Sequence, residues 1–504
     1  MTASPRPHSA AEKLMILAAV CLAALAMPIS FTGPAVALPA IARALGGTPV
    51  ELNWVTNAFM LAFGSSLMAA GALADNYGRK RIFLTGLALF AVFSLALSLV
   101  SNLFWFDILR AAQGLSSALA FSGGMAALAQ EFDGQARTRA FSLIGITFGV
   151  GLSFGPILSG VLISHFGWQA AILFVVPITF TAFCFGAVCM SESRDPDASG
   201  IDWPGAISFT VALTLLTCGI LQAPQAGWTH PLVISMLVGS VLIFSLFTAI
   251  ERRVARPMLD LTLFRYPRFV GVQLLAAAPA YSFVVLLILL PIRYIGVEGF
   301  SEVQTGQMMI ALSGPLLIVP FLAALLTRWF SAAVLCSAGL LISAVGLYWL
   351  SRCMPGQPVE LTLPALFLIG FGISLPWGLM DGLAVSVVPK ERAGMATGIF
   401  STTRIAGEGI ALAIVSALLT ALLGWKLSAV LPIGSGVTQA AQEVATGNLA
   451  SAMTQLGPVG RDVILQAYGN AFGHLLEILS EITVVTALAI FVVMRMPDKS
   501  VVTA

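Results

Sequence analysis

Apolar runs about the length of one bilayer crossing follow one another from Leu14 to Met494, separated by short polar breaks. A membrane-spanning helix needs ~20 apolar residues, and in lipid only helices and closed barrels satisfy every backbone polar group. Fourteen such runs lie near 14–38, 54–74, 82–100, 104–128, 140–164, 168–190, 204–222, 231–250, 269–292, 304–327, 332–351, 361–387, 395–423 and 472–494. They predict an all-α integral membrane protein. Composition agrees: 58% of residues are hydrophobic and 10% charged, against about 25% charged in a soluble protein. The first run is too long for a signal-peptide core and is followed by many more, so it is expected to be an uncleaved span.

Lysine and arginine placement gives an orientation. With both termini in the cytoplasm, the inner segments hold eighteen of the 25 cations, and the outer ones hold Arg43, Arg293, Arg352, Lys426 and Arg461. Arg110 and Arg404 fall inside spans. Such a bias is the positive-inside pattern, and losing one early span would spoil it. The expected site is therefore the inner or plasma membrane, with many passes and cytoplasmic ends.

Between spans 2 and 3 stands Gly71-Ala-Leu-Ala-Asp75-Asn-Tyr-Gly78-Arg79-Lys80-Arg81. A helix leaves the membrane, turns at a glycine that tolerates conformations closed to other residues, meets three cations and re-enters. This stretch resembles the loop between helices 2 and 3 of the major facilitator superfamily. Fourteen spans narrow the resemblance to its fourteen-helix drug:proton antiporters, and it covers essentially the whole chain. The family's fold implies two six-helix bundles, here 1–190 and 269–504, with an inserted helix pair within 191–268. A long outer segment, 424–471, lies before the last span, and its 438–452 stretch is expected to be helical. Segment 251–268 is expected to form an amphipathic helix on the inner surface.

Other motifs extend the resemblance. Leu109-Arg110-Ala-Ala-Gln113-Gly114 in span 4 is similar to a family motif whose arginine is implicated in proton coupling. An arginine there is costly to bury, and snorkelling to the outer surface or pairing with Asp107 are the plain alternatives. Span 5 carries glycines at 145, 149, 151, 155 and 160, with Pro156 after Gly155. This looks like the motif associated with antiporters, although Ser159 replaces a closing glycine. Span 1 departs from the family: Ser30 and Ala35 stand where an acid and an asparagine are usual.

The acids within spans are Asp381, Glu408, Glu477 and Glu481. Arg404 and Glu408, four residues apart, are expected to neutralise each other. Asp381 has no base nearby in its own helix, which makes it the first candidate for the coupled proton, with Glu408 second. Asp75 is expected to latch the closed inner end against the start of span 13 near Arg392–Met395. Ser30, Thr32, Asn57 and Gln113 are candidate cavity residues.

Several functions are excluded or disfavoured. No Gly-x-x-x-x-Gly-Lys-Ser/Thr occurs, so there is no P-loop for ATP. Gly151-Leu-Ser153-Phe-Gly155 matches a nucleophile elbow but lies mid-span, and only four histidines exist. Six scattered cysteines lack metal or disulfide spacing. No cofactor, metal, nucleic acid or enzyme activity is expected. The sequence predicts a secondary transporter exchanging an amphipathic small molecule for protons in a lipid bilayer, with a monomer compatible. A dedicated metabolite exporter, such as one for a siderophore, and a non-transporting sensor are the alternatives.

Overall fold

The computed structural model describes residues 9–132, 134–194, 202–254, 257, 259, 261–387, 393–430, 436–456 and 460–496. Every regular element among them is helical. The first group is α1 (Ala10–Leu45), α2 (Pro49–Tyr77), α3 (Arg79–Leu97), α4 (Leu103–Glu131) and α5 (Gly134–Phe166). A sixth segment breaks at Phe174 into α6 (Trp168–Leu173) and α7 (Val175–Cys189). A pair follows, α8 (Trp203–Ala226) and α9 (Pro231–Glu251). The second group begins with α10 (Pro267–Pro279), a π turn, α11 (Val285–Pro291) and a π segment, Ile292–Glu298. It continues with α12 (Glu302–Ser313), a 3-10 turn, α13 (Val319–Leu326), α14 (Ala332–Ser351), α15 (Val359–Ser386) and α16 (Ala393–Ser428). Last come α17 (Val437–Ala445), α18 (Leu449–Leu456) and α19 (Arg461–Arg495).

Thirteen of these segments, some built from consecutive helices, are long and apolar enough to cross a membrane. The expected crossing that falls short is α4. It is an unbroken helix of 29 residues, but Asp107, Arg110, Gln113 and three serines lower its apolarity. What it loses in lipid affinity it regains by packing, because it lies against both α2 and α3.

Local chemistry sets the boundaries. Ser9 with Glu12, Thr48 with Glu51 and Ser301 with Gln304 form capping boxes that satisfy the first free N–H groups of α1, α2 and α12. Gly78, at φ +118°, joins α2 to α3 in a conformation that other residues adopt only under strain. In the ninth segment, Pro279 and Pro291 each remove a backbone donor, and each is followed by a π stretch. That segment therefore runs on to Glu298, past the expected end at 292, and stops at Gly299 (φ +82°).

Within the first group α1 packs on α5 and α7, and α3 on α4 and α7; within the second, α14 packs on α15 and α19. The groups meet along α2–α16 and α5–α12. Small residues permit these approaches: Gly64 lies on the backbone of Ala406, Gly155 on Thr32, and Gly160 on the carbonyl of Glu302, with no room for a Cβ. The α8–α9 pair sits outside, with α8 touching both α2 and α16. Ile220 and Leu221 of α8 meet Ala413 and Ala417 of α16 beside Trp54. Nearer its start, α8 stands off, leaving an apolar crevice of about 330 Å³ between Ala69, Leu73, Leu115, Leu119, Trp203 and Ile207.

One expectation for the connections changes, and the helical one for 438–452 holds. The described part of 251–268 holds no amphipathic α-helix. It carries a 3-10 turn at Leu261–Arg265, and Leu263 is buried against Phe269 and Ile399. The segment before α19 is folded: α17 and α18 bury Ala440, Ala441, Val444 and Leu449. Gly447 there lies against the backbone of Gly296.

Candidate functional site

The turn at Gly78 is held from both sides. Arg79 donates from Nε and Nη2 to Asp75 Oδ1 at 3.0 and 2.9 Å, and from Nη1 to Gln130 Oε1 at 2.8 Å. Glu192 lies over Gly78, accepting from the Lys80 backbone N–H at 3.2 Å and pairing with Arg81 at 3.5 Å. Asp75 thus ties the end of α2 to the start of α3, and through Arg79 to α4. Its expected neighbour Arg392, like the side chains of 393–397, lies outside the described residues.

Above this turn opens a cavity of about 560 Å³. Met68, Gly71 and Asp75 line it from α2, Arg79 from α3, Phe121 and Met125 from α4, Arg137 and Phe141 from α5, and Ile399 and Ser401 from α16. It therefore lies between the two groups of helices. Towards the opposite face the groups close on each other. Ser153 Oγ donates to the Ser313 carbonyl at 2.6 Å, Ser313 Oγ donates back to the Ser153 carbonyl at 3.0 Å, and Arg43 faces Glu302 at 3.9 Å.

Arg110 neither snorkels nor pairs with Asp107. It is 1% exposed, donates to the Val55 carbonyl at 2.8 Å and to Gln113 Oε1 at 2.5 Å, and lies 4.6 Å from the Phe59 ring. Gln113 donates on to Ser94 at 2.7 Å. The chain of bonds joins α2, α3 and α4 inside one group of helices. Asp107 Oδ1 is buried without a partner. Ser30, Thr32 and Asn57 are also packed away: Thr32 donates to the Pro28 carbonyl and Asn57 to the Asn53 carbonyl. None of these residues is among those lining the cavity. Pro156 lies inside α5 beside Gly155, where Thr32 of α1 leaves no room for a Cβ.

The pairing expected within α16 is replaced by one between helices. Arg404 Nη1 lies 3.3 Å from Asp381 Oδ1 on α15, rather than on Glu408 a turn away. Glu408 is 2% exposed, and its Oε1 has no hydrogen-bond partner. The Arg404 guanidinium sits among the rings of Phe148, Phe400 and Trp377 at 5.4, 5.5 and 6.0 Å. Gly145 leaves the space that Asp381 occupies, since a Cβ there would stand 3.0 Å from Oδ2. Glu477 pairs with Arg352 at 3.2 Å at a half-exposed edge.

A family model for the Major Facilitator Superfamily matches residues 19–412. The chain belongs to the major facilitator superfamily. Within that superfamily it is similar to the multidrug resistance protein Stp of Mycobacterium tuberculosis, 32% identical over 78% of this chain and 73% of the relative. It is also similar to the tetracenomycin C resistance and export protein of Streptomyces glaucescens, 28% identical over 81% and 76%. The cephamycin export protein CmcT of Amycolatopsis lactamdurans is 32% identical over 75% and 79%. Among solved structures, a bacterial homologue of the human lysosomal transporter Spinster superposes with a TM-score of 0.66 over 97% of this chain and 98% of its own, at 16% identity. That likeness is one of superfamily fold.

One charged group of this superfamily member escaped the sequence reading. Arg293, assigned to an exposed outer segment, is 2% exposed and bonded to Glu298 at 2.6 Å and to the Cys353 carbonyl at 3.0 Å. Its guanidinium lies 5.0 Å from the Phe472 ring. The signal was available as an arginine and a glutamate five residues apart, the spacing of one π turn, directly after an apolar run.

Proposed function

We propose that this transporter exports amphipathic small molecules from the cytoplasm in exchange for protons. Two six-helix halves, 1–190 and 269–504, would alternate in opening to either side of the inner or plasma membrane, with the pair in 191–268 inserted between them and an outer segment at 424–471. The observation that carries this reading is the asymmetry of the seam: a 560 Å³ cavity at the Gly78 end and a serine-to-serine closure towards the other. A volume of that size suits a drug-sized organic molecule. With α4 as the fourteenth crossing, both termini lie in the cytoplasm, and eighteen cations lie inside against five outside. The cavity is then open inward. The proton would be carried by the second-half acids, Asp381 and Glu408, since α1 has Ser30 where related transporters carry an acid. The protein would work as a monomer surrounded by lipid.

Names such as the tetracenomycin C and cephamycin exporters support an antibiotic-like cargo. They equally favour a second reading, a dedicated exporter of one endogenous metabolite, to which the uncharged Ser30 position lends weight. The test uses purified protein in liposomes with an acidic lumen and a panel of such compounds. Accumulation above equilibrium that a protonophore abolishes is expected. Uptake that only equilibrates would overturn proton coupling, and a single transported compound would select the metabolite reading.

A further inference from the structure

Two buried polar atoms one helical turn apart on α16 lack partners: Arg404 Nε and Glu408 Oε1. Their side chains are 3% and 2% exposed. Such groups are rare in native structures, and each one calls for an explanation. Cargo does not supply one, because neither residue is among those lining the 560 Å³ cavity. Residues at i and i+4 face each other on a helix, so Arg404 reaches Glu408 by turning its side chain alone. It is held instead by one contact to Asp381, 3.3 Å away on the neighbouring helix α15. One cation therefore stands between two acids.

We infer that Arg404 is a two-position switch, resting on Asp381 while the inner cavity is open and moving onto Glu408 as that cavity closes. This rests on the proton-coupled reading above. A buried carboxylate without a cation is strongly disfavoured, so the acid that Arg404 leaves holds the proton. In the open form Asp381 is the carboxylate and Glu408 the neutral acid. In the exchange the O–H bond of Glu408 breaks, its proton passes through water to the Asp381 carboxylate, and Arg404 pairs with the new Glu408 carboxylate. No net charge is created in the core, and Arg404 keeps its own proton throughout. Protonation of Glu408 from the outer side then frees Arg404, and as the inner cavity reopens the Asp381 side chain, 24% exposed, releases its proton to the inner water and takes Arg404 back. The rings of Phe148, Phe400 and Trp377 attract the cation without fixing its direction, which suits a group with two resting places. Phe148 belongs to the other half, so the switch is felt across the moving seam.

Among the described residues Arg404, a turn away on the same helix, is the charged group facing Glu408, and Asp381 faces Arg404 from α15. On α2, Asp75 pairs with Arg79 of α3 at the far turn; on α19, Glu477 pairs with Arg352 and Glu481 is exposed. Arg404 acts here as a positioning residue.

The test reads cavity opening by maleimide labelling of Ala129→Cys, with the unsubstituted protein as background. Glu408→Gln pins Arg404 on Asp381 and should raise labelling at least threefold; Asp381→Asn sends Arg404 to Glu408 and should lower it by a similar factor. Relative to the denatured protein at the same pH, which corrects for thiolate content, labelling in the parent should fall as pH rises, and in Glu408→Gln it should not. Shifts of the same sign, or none, would overturn the switch. Wild-type transport that ignores a pH gradient would instead overturn the proton-coupled reading, independently of the labelling result.

Discussion

Ser153 and Ser313 exchange hydrogen bonds across the two halves, each hydroxyl donating to the other's carbonyl oxygen at 2.6 and 3.0 Å. Each also bonds within its own helix, to the carbonyls of Gly149 and Met309 at 2.9 and 2.7 Å. The reciprocal pair is one of the few polar contacts across the seam. A bond of this kind contributes about 0.5–1.5 kcal/mol net. The double variant Ser153→Ala/Ser313→Ala should therefore shift the balance towards the outward-open form several-fold. Faster labelling of Val303→Cys by an impermeant reagent checks this.

Gly78 is predicted to be irreplaceable for two separable reasons. Its φ of +118° would cost another residue about 1–3 kcal/mol. A Cβ would also run into the Glu192 carboxylate. Gly78→Ala should lower Tm and transport. Adding Glu192→Gly should restore only part of the loss, because the backbone strain remains. Full rescue in a thermal-shift assay would mean that the clash alone matters.

Asp75 is expected to act on switching rather than on cargo affinity. In the open form it is occupied by Arg79, and it lines the same cavity as Gly398 and Ile399 near the start of α16. Closing the inner end would bring this carboxylate towards that helix N-terminus, an attraction of about 0.3–1 kcal/mol. Asp75→Asn should raise labelling of Ala129→Cys and slow turnover while leaving the dissociation constant of cargo nearly unchanged. Lost binding with unchanged labelling would assign Asp75 to the cargo instead.

The pair Arg293–Glu298 is buried at 2% and 6% side-chain exposure. Removing one member of such a pair typically costs about 3–5 kcal/mol, while replacing both by apolar residues is far milder. Arg293→Met is predicted to fold poorly, and Arg293→Met/Glu298→Leu to recover much of the lost Tm. A double variant no better than the single one would show that the hydrogen bonds from Arg293 to the Cys353 carbonyl and from the Gly356 N–H to Glu298 (3.4 Å), not the charge pairing, hold this corner.

The helices were legible in the sequence because lipid imposes a length and an apolarity that few other environments demand. The orientation expected for them came from the bias of lysines and arginines among the connecting segments. The same rule misplaced Arg293, since a cation just beyond an apolar run reads as a loop whether it meets water or a buried glutamate. The charge network failed for a related reason. Helical spacing shows Arg404 and Glu408 as neighbours, but nothing in one sequence shows that α15 brings Asp381 nearer. Arg110 was recognised as lying within a span, whereas its partner Val55 and the Gln113 partner Ser94 lie on two other helices and left no local trace. The cavity lining was the least legible part, because Ser30, Thr32 and Asn57 look polar and available yet are buried away from it.

The apolar crevice between α8 and the α2–α4 pair, closed at the Ile220–Ala413 end and open near Trp203, has the shape of a wedge. Helix α8 meets both halves at the Ile220–Ala413 end, so in the proposed alternation the other end would swell or shrink. What fills that end in a membrane is hydrocarbon. Each turnover would then push acyl chains aside and let them flow back. The pump would work against the stiffness of its own solvent, and a bilayer of ordered, saturated chains would slow it even where every residue of the transport path is untouched.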